Sequence, residues 1–124
     1  ISTTILANKL AAIALSPEVR PRLIQRTRDY IRRGFPILDG WLESHEGVFT
    51  LVPPQAAAIA FVRYHLDINS TELVKRLIHE KSVFIVPGDH FGMDHFLRIS
   101  FGLPPDYLRA GLDRIRELIV ELER

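Results

Sequence analysis

One helical phase runs from Val19 to Leu42 and does not break where it meets Pro36. Val19, Leu23, Thr27, Tyr30, Gly34, Leu38 and Trp41-Leu42 recur at the spacing of one face of an α-helix. Proline inside a helix normally ends or kinks it. Because the phase is kept on both sides, the spacing predicts a single kinked helix from about Pro17 to Ser44; two helices meeting at Gly34-Phe35 are the alternative. Ser16-Pro17-Glu18 supplies its start: a capping hydroxyl, a proline for the first turn and an acid near the positive end. Before it, Ile5 to Leu15 is apolar nearly all round, which predicts a helix buried against something.

After Glu46-Gly47 the period changes. Val48 to Val52 reads as a strand ended by Pro53-Pro54, and Ala58 to Tyr64 as a second with β-branched and aromatic content. Asn69-Ser70-Thr71-Glu72 can cap a helix from Thr71 to Glu80 that turns Leu73, Leu77 and Ile78 inward. Ser82 to Val86 is a third expected strand, stopped by Pro87-Gly88, and Phe96 to Phe101 a fourth. A last helix opens near Pro105-Asp106, with Leu108, Leu112, Ile115, Ile119 and Leu122 on one face. Strands separated by helices make an α/β (α+β layered) domain whose helices cover the sheet. There are no repeats, and the 124 residues read as one domain, long enough to bury a real core.

A formal net charge of +1 creates no global field for nucleic acid or a membrane surface. No apolar run approaches the roughly 20 residues of a membrane span. There are no cysteines, so disulfides, thiolate metal sites and thiol nucleophiles are excluded, and a cytoplasmic location is expected. Ile1-Ser2-Thr3-Thr4 has no basic region of a signal peptide, and a start without methionine, almost at once helical, is expected of a fragment of a larger chain.

Arg98 is the first residue to single out. Alternation on the fourth strand sets Leu97 and Ile99 on one face and Phe96, Arg98 and Ser100 on the other. A guanidinium among apolar neighbours is costly to desolvate unless an anion meets it. Its planar fork suits a carboxylate, gripped through two parallel hydrogen bonds. A structural ion pair with a helix acid, or a rim position whose tip reaches water, would account for it as well.

The other motifs say less. The loop Pro87 to His95 carries two Asp-His pairs, Asp89-His90 and Asp94-His95, but two histidines five apart in a loop without a third make poor metal spacing, so no metal site is expected. Arg20, Arg22, Arg26, Arg28, Arg32 and Arg33 scatter around the polar side of the long helix without interleaved aromatics, so no nucleic-acid footprint is expected. No serine sits in a Gly-x-Ser-x-Gly elbow, and Lys9, Lys75 and Lys81 lie at polar edges where nothing depresses an amine's pKa.

Ser82-Val83-Phe84-Ile85-Val86-Pro87-Gly88-Asp89-His90-Phe91-Gly92, followed by Phe96-Leu97-Arg98-Ile99-Ser100-Phe101-Gly102, resembles the C-terminal segment of class I/II, fold-type I aminotransferases. The paired strands around Pro54, the helix from Ser70, the kinked helix from Pro17 and the closing helix extend the resemblance over nearly the whole chain. It implies the small domain of a pyridoxal-phosphate-dependent enzyme of the aspartate aminotransferase-like superfamily: a small, mostly antiparallel sheet of three to four strands, with residues 1–46 including the interdomain-type helix. Arg98 matches the family's substrate α-carboxylate arginine. No catalytic, cofactor-binding or metal residue carries over, because the Schiff-base lysine and phosphate-binding residues belong to a large domain absent from this chain. An isolated fragment is then expected to be inactive and not to hold pyridoxal phosphate. The intact enzyme is expected to be a homodimer acting on an amino acid and a keto acid.

Two departures from the family pattern stand out. Pro54-Gln55-Ala56-Ala57-Ala58 lacks a glycine, so that turn is expected to differ; Gly92-Met93-Asp94-His95 lacks a further glycine, which puts His95 at the pocket rim. A related fold-type I lyase or cyclising synthase, a non-catalytic module binding a small carboxylate and, more remotely, a nucleic-acid binder on the arginine-rich helix are the rival readings.

Overall fold

The computed structural model describes residues 4–123. Four helices and four strands follow in the order α1 (Ile5–Ala14), α2 (Arg20–Glu43), β1 (Phe49–Leu51), β2 (Ile59–Tyr64), α3 (Ser70–Lys81), β3 (Val86–Pro87), β4 (Phe96–Ser100) and α4 (Pro105–Leu122), with a 3-10 turn at Gly88–Phe91. The sheet order is β1-β2-β4-β3, and every pairing is antiparallel.

The long helix is continuous through Pro36, which decides against two helices meeting at Gly34-Phe35. Its start lies later than expected. Ser16 caps a separate tight turn, its Oγ accepting from the Val19 N–H at 3.3 Å, and α2 begins at Arg20 with Pro21 in its first turn. Only the C-terminal half of α2 is buried, through Gly34, Leu38 and Leu42; Leu23 and Ile24 are exposed. The expectation that α1 is buried fails in this chain. None of its residues is buried, because the sheet and α4 begin to cover the helical layer only from Gly34 onward.

Alternation on the two central strands builds the core. Ala60, Val62 and Tyr64 of β2 and Leu97 and Ile99 of β4 are buried against Leu38 and Leu42 of α2, Leu73, Val74 and Leu77 of α3, and Leu108, Leu112, Ile115, Leu118 and Ile119 of α4. Ile78, expected inward, is exposed, and Val74 takes the inner position; Leu118 joins the α4 stripe that the spacing had ended at Leu122. Burying one such side chain is worth about 1.5–3 kcal/mol. The expected helical cover exists on one face only. Phe61, Arg63, Phe96, Arg98 and Ser100 stand on the other face, half-buried or exposed.

The third strand is shorter than expected. Ser82 ends α3 in the left-handed region (φ 54°), and the Val83 N–H donates to the Leu77 carbonyl at 3.0 Å, so these two residues finish the helix instead of pairing. Phe84 is then 81% exposed, and only Val86 and Pro87 reach register, opposite Arg98 and Leu97. No helix among the described residues is long and apolar enough to cross a membrane.

Gly34 sets how closely α2 approaches β4. A Cβ built there would lie 1.8 Å from the carbonyl oxygen of Phe101, whose ring meets Phe35 edge-on at 5.5 Å. Gly40, six residues on, has open space around the same position. Gly34→Ala is therefore expected to destabilise the fold by about 3 kcal/mol, the upper end for overpacking. Gly40→Ala is expected to stabilise it by about 0.5–1 kcal/mol through helix propensity. Urea denaturation of both variants checks this, and equal effects would contradict the close approach.

Candidate functional site

Arg98 projects from the middle of β4 onto the bare face of the sheet, with Phe61 directly opposite on β2 and Val86 opposite on β3. The side chain is half-buried, and no hydrogen bond or ion pair to it is found among the described residues. Two phenyl rings flank it on the same face. Phe61 stacks on Phe96 with centroids 4.8 Å apart and planes at 15°, and Phe91 of the 3-10 turn meets Phe61 edge-on at 5.9 Å. The register sets a half-buried cation beside apolar rings, and a planar anion can complete the arrangement. It is an open face and not an enclosed cleft. Two cavities, of about 240 and 670 Å³, lie respectively beside α4 under the Ser82–Ile85 segment and between α2 and α4, and neither includes Arg98.

The strand bearing Arg98 is held at its start by the two acids of the preceding loop. Asp89 Oδ2 accepts from the Asn69 amide (2.7 Å) and the Thr71 hydroxyl (2.9 Å). Asp94 Oδ1 accepts from the Ser70 N–H and the His95 N–H, both at 2.7 Å, and its Oδ2 from the Asn69 amide at 2.9 Å. Ser70, fully buried, accepts the Asp89 N–H at 3.1 Å. Asp94 thus takes the Ser70 N–H while Asn69 Oδ1 caps the Thr71 and Glu72 N–H groups, and the bonds from both acids to Asn69, Ser70 and Thr71 lock loop to helix. The Ser70 N–H, followed by the His95 N–H and Asn69, holds the Asp94 carboxyl at about 2 despite partial desolvation. Burial pushes the Tyr64 phenol well above its usual range, helped by Asp94 and then Asp89; its hydroxyl donates to the Ile68 carbonyl at 2.7 Å.

Both positions where the sequence lacks a glycine take up left-handed backbone. Ala57 has φ 67° and His95 φ 62°, a region that favours glycine and costs other residues about 1–2 kcal/mol. The His95 ring lies toward Tyr64 (5.4 Å between centroids) and 3.7 Å from Asp94. Elsewhere, Lys75 pairs with Glu72, and Lys81 with Glu121 and Glu117; the Glu121 hydrogen bond raises the Lys81 amine rather than depressing it. The arginines of α2 lie on its exposed side, with Arg33 bonded to the Asp29 carbonyl and packed over the Tyr30 ring at 5.6 Å. Phe61 and Phe91 escaped the reading of the sequence. Strand alternation shows which residues share Arg98's face on β4, but only the β2–β4 register, a non-local fact, puts Phe61 across from it.

Residues 1–115 match the model of a family described as aminotransferase class I and II. An aspartate aminotransferase of Streptomyces avermitilis is 29% identical over 113 residues, covering 90% of this chain and 27% of that protein. Nicotianamine aminotransferase A of Hordeum vulgare is 26% identical over 112 residues, 80% of this chain and 24% of the relative. The crystal structure of a PLP-dependent aminotransferase from Streptococcus suis shares the fold, with a TM-score of 0.87 and 23% identity over 97% of this chain and 31% of its own. The chain thus spans about a quarter of the length of the curated relatives it matches.

The loop lock has a pH signature. Asp94 binds its proton less readily when folded than at its ordinary value of 3.8, so the stability it contributes is present above about pH 4 and is lost as pH falls toward 2. Thermal unfolding midpoints are expected to drop through that window, and the drop is expected to shrink in Asp94→Asn. An identical acid profile in the variant would contradict the lock.

Proposed function

Because the chain belongs to the class I and II aminotransferase family, we propose that it forms the small domain of a PLP-dependent aminotransferase, residues 1–124 as one unit with the long α2 as its interdomain helix. In this reading Arg98 binds the α-carboxylate of the amino-acid or keto-acid substrate. The observation that carries the proposal is the half-buried guanidinium, without a partner among the described residues, on the one sheet face that no helix covers.

The chemistry follows from that placement. A carboxylate laid across the guanidinium fork accepts two charge-assisted hydrogen bonds, and the pair fixes both the position and the plane of the acid group. Fixing one end of a small amino acid orients its Cα–H bond, and such positioning supplies a large part of a catalytic barrier reduction. The apolar rings beside Arg98 lower the local dielectric and strengthen the grip once water is excluded. Closure of this face over the substrate is the motion the reading requires.

In this reading pyridoxal phosphate is not anchored by a lysine of this chain. Lys75 and Lys81 are engaged in ion pairs on α3, Lys9 lies on the exposed α1, and none sits on a strand beside Arg98. The cofactor of the intact enzyme is therefore assigned to residues outside these 124, and the chain alone is expected neither to hold it nor to transaminate.

Calorimetric titration with pyruvate, the smallest 2-keto acid, tests the carboxylate role. Binding in the millimolar range is expected, roughly −4 kcal/mol. Methyl pyruvate, which has no free carboxylate, is expected not to bind. Arg98→Lys, which keeps the charge and loses the fork, is expected to weaken binding about tenfold, and Arg98→Ala to abolish it. Unchanged binding in Arg98→Ala, or equal binding of the ester, would overturn the proposal.

A further inference from the structure

We infer that Phe61, Phe91 and Phe96 form a side-chain subsite beside Arg98, and that the substrate they select is an amino or keto acid with a bulky apolar, best an aromatic, side chain. The inference rests on the carboxylate reading of Arg98 and goes beyond it by naming what lies on the other side of the substrate's Cα.

Register supplies the first argument. Phe61 and Arg98 are direct cross-strand partners, so their side chains rise from neighbouring points on one face. A carboxylate held by Arg98 leaves the rest of a small acid within reach of the Phe61 ring. The second argument is the shape of the aromatic group. Phe61 and Phe96 lie nearly parallel at 15°, while Phe91 stands at 86° to Phe61, which makes a right-angled corner of ring faces and edges. A flat aryl group fits such a corner with one offset-stacked and one edge-to-face contact, the two geometries that ring quadrupoles prefer.

Exposure is the third. Phe91 is 55% exposed and the other two rings are half-buried, so the corner is open to a ligand instead of being filled by this chain. The fourth is charge. No acid lies on the strand positions of this face, and the other cation there, Arg63, sits opposite Phe96, on the far side of the stacked pair from Arg98. A side chain ending in its own carboxylate would lose hydration against three phenyl rings before it reached Arg63.

The test is an NMR titration of the chain with pyruvate, phenylpyruvate and oxaloacetate, following the Arg98 Nε–H and the phenylalanine ring resonances. Phenylpyruvate is expected to bind about fivefold tighter than pyruvate, with ring-current shifts in Phe61, Phe91 and Phe96, the mid-range gain of one added aromatic pair. Oxaloacetate is expected to gain nothing over pyruvate. Phe61→Ser and Phe91→Ser should each bring the phenylpyruvate-to-pyruvate ratio toward one; Phe91 is on an exposed turn, so its variant keeps the test open if Phe61→Ser fails to fold. If pyruvate moves Arg98 but phenylpyruvate binds no tighter, or if oxaloacetate binds tightest and moves Arg63, the subsite is overturned while the carboxylate role stands. If no keto acid moves Arg98, both fall together.

Discussion

Leu97 and Ile99 are sealed into the helical side of the sheet, and the two-residue period of a strand then leaves Arg98 no place except the other face. That constraint organises everything near the site. It requires β4 to sit centrally, paired along its length with β2 on one edge and at Leu97 and Arg98 with β3 on the other, while one face is bare. It requires α2 and α4 to cover the buried face closely, which Gly34 permits by letting the Phe101 carbonyl lie almost against the helix backbone. And it aligns Phe61 with Arg98, because the register that buries Val62 against Leu97 admits no other partner.

The ends of the central strands carry the cost of this arrangement. Ala57 precedes β2 and His95 precedes β4, and both hold left-handed backbone without being glycine. At His95 the strain is offset by hydrogen bonds on both sides: its N–H donates to Asp94, and its carbonyl accepts from the Tyr64 N–H at 2.9 Å. Asp94 in turn is tied to the first turn of α3, so helix, loop and strand are fixed by one carboxylate. A conserved geometry need not be supposed for this; the hydrogen bonds alone over-determine the loop.

Much of this was legible in the residues, and the failures have physical reasons. The periodicity of α2 overrode the usual meaning of Pro36, since one missing N–H is a small loss beside burial of Leu38 and Leu42 on the same face. Arg98 was legible because charge in an apolar strand has few explanations. The Ser82–Val86 run has strand composition, yet its first two residues are taken by the end of α3, a choice made by backbone geometry that composition does not record. Helix α1 reads as a buried element and is exposed, because periodicity reports that a helix has an apolar surface and says nothing of where its cover comes from. Spacing alone sets Asp89 and Asp94 aside as metal ligands, and the role they do have, accepting from Asn69, Ser70 and Thr71, joins groups 18 to 25 residues apart in sequence, which spacing cannot show. Family membership rests on the 1–115 match; the carboxylate role proposed for Arg98 is supported by its placement on the bare sheet face.

The most direct test of that placement is a crystal structure of this chain grown with a 2-keto acid. The expected result is a carboxylate lying in the plane of the Arg98 guanidinium, with two parallel N–H···O contacts of about 2.8 Å, and the rest of the molecule over the bare face of the sheet. Density for the acid elsewhere, or an Arg98 side chain folded back onto a carboxylate of its own chain with no ligand beside it, would contradict the account.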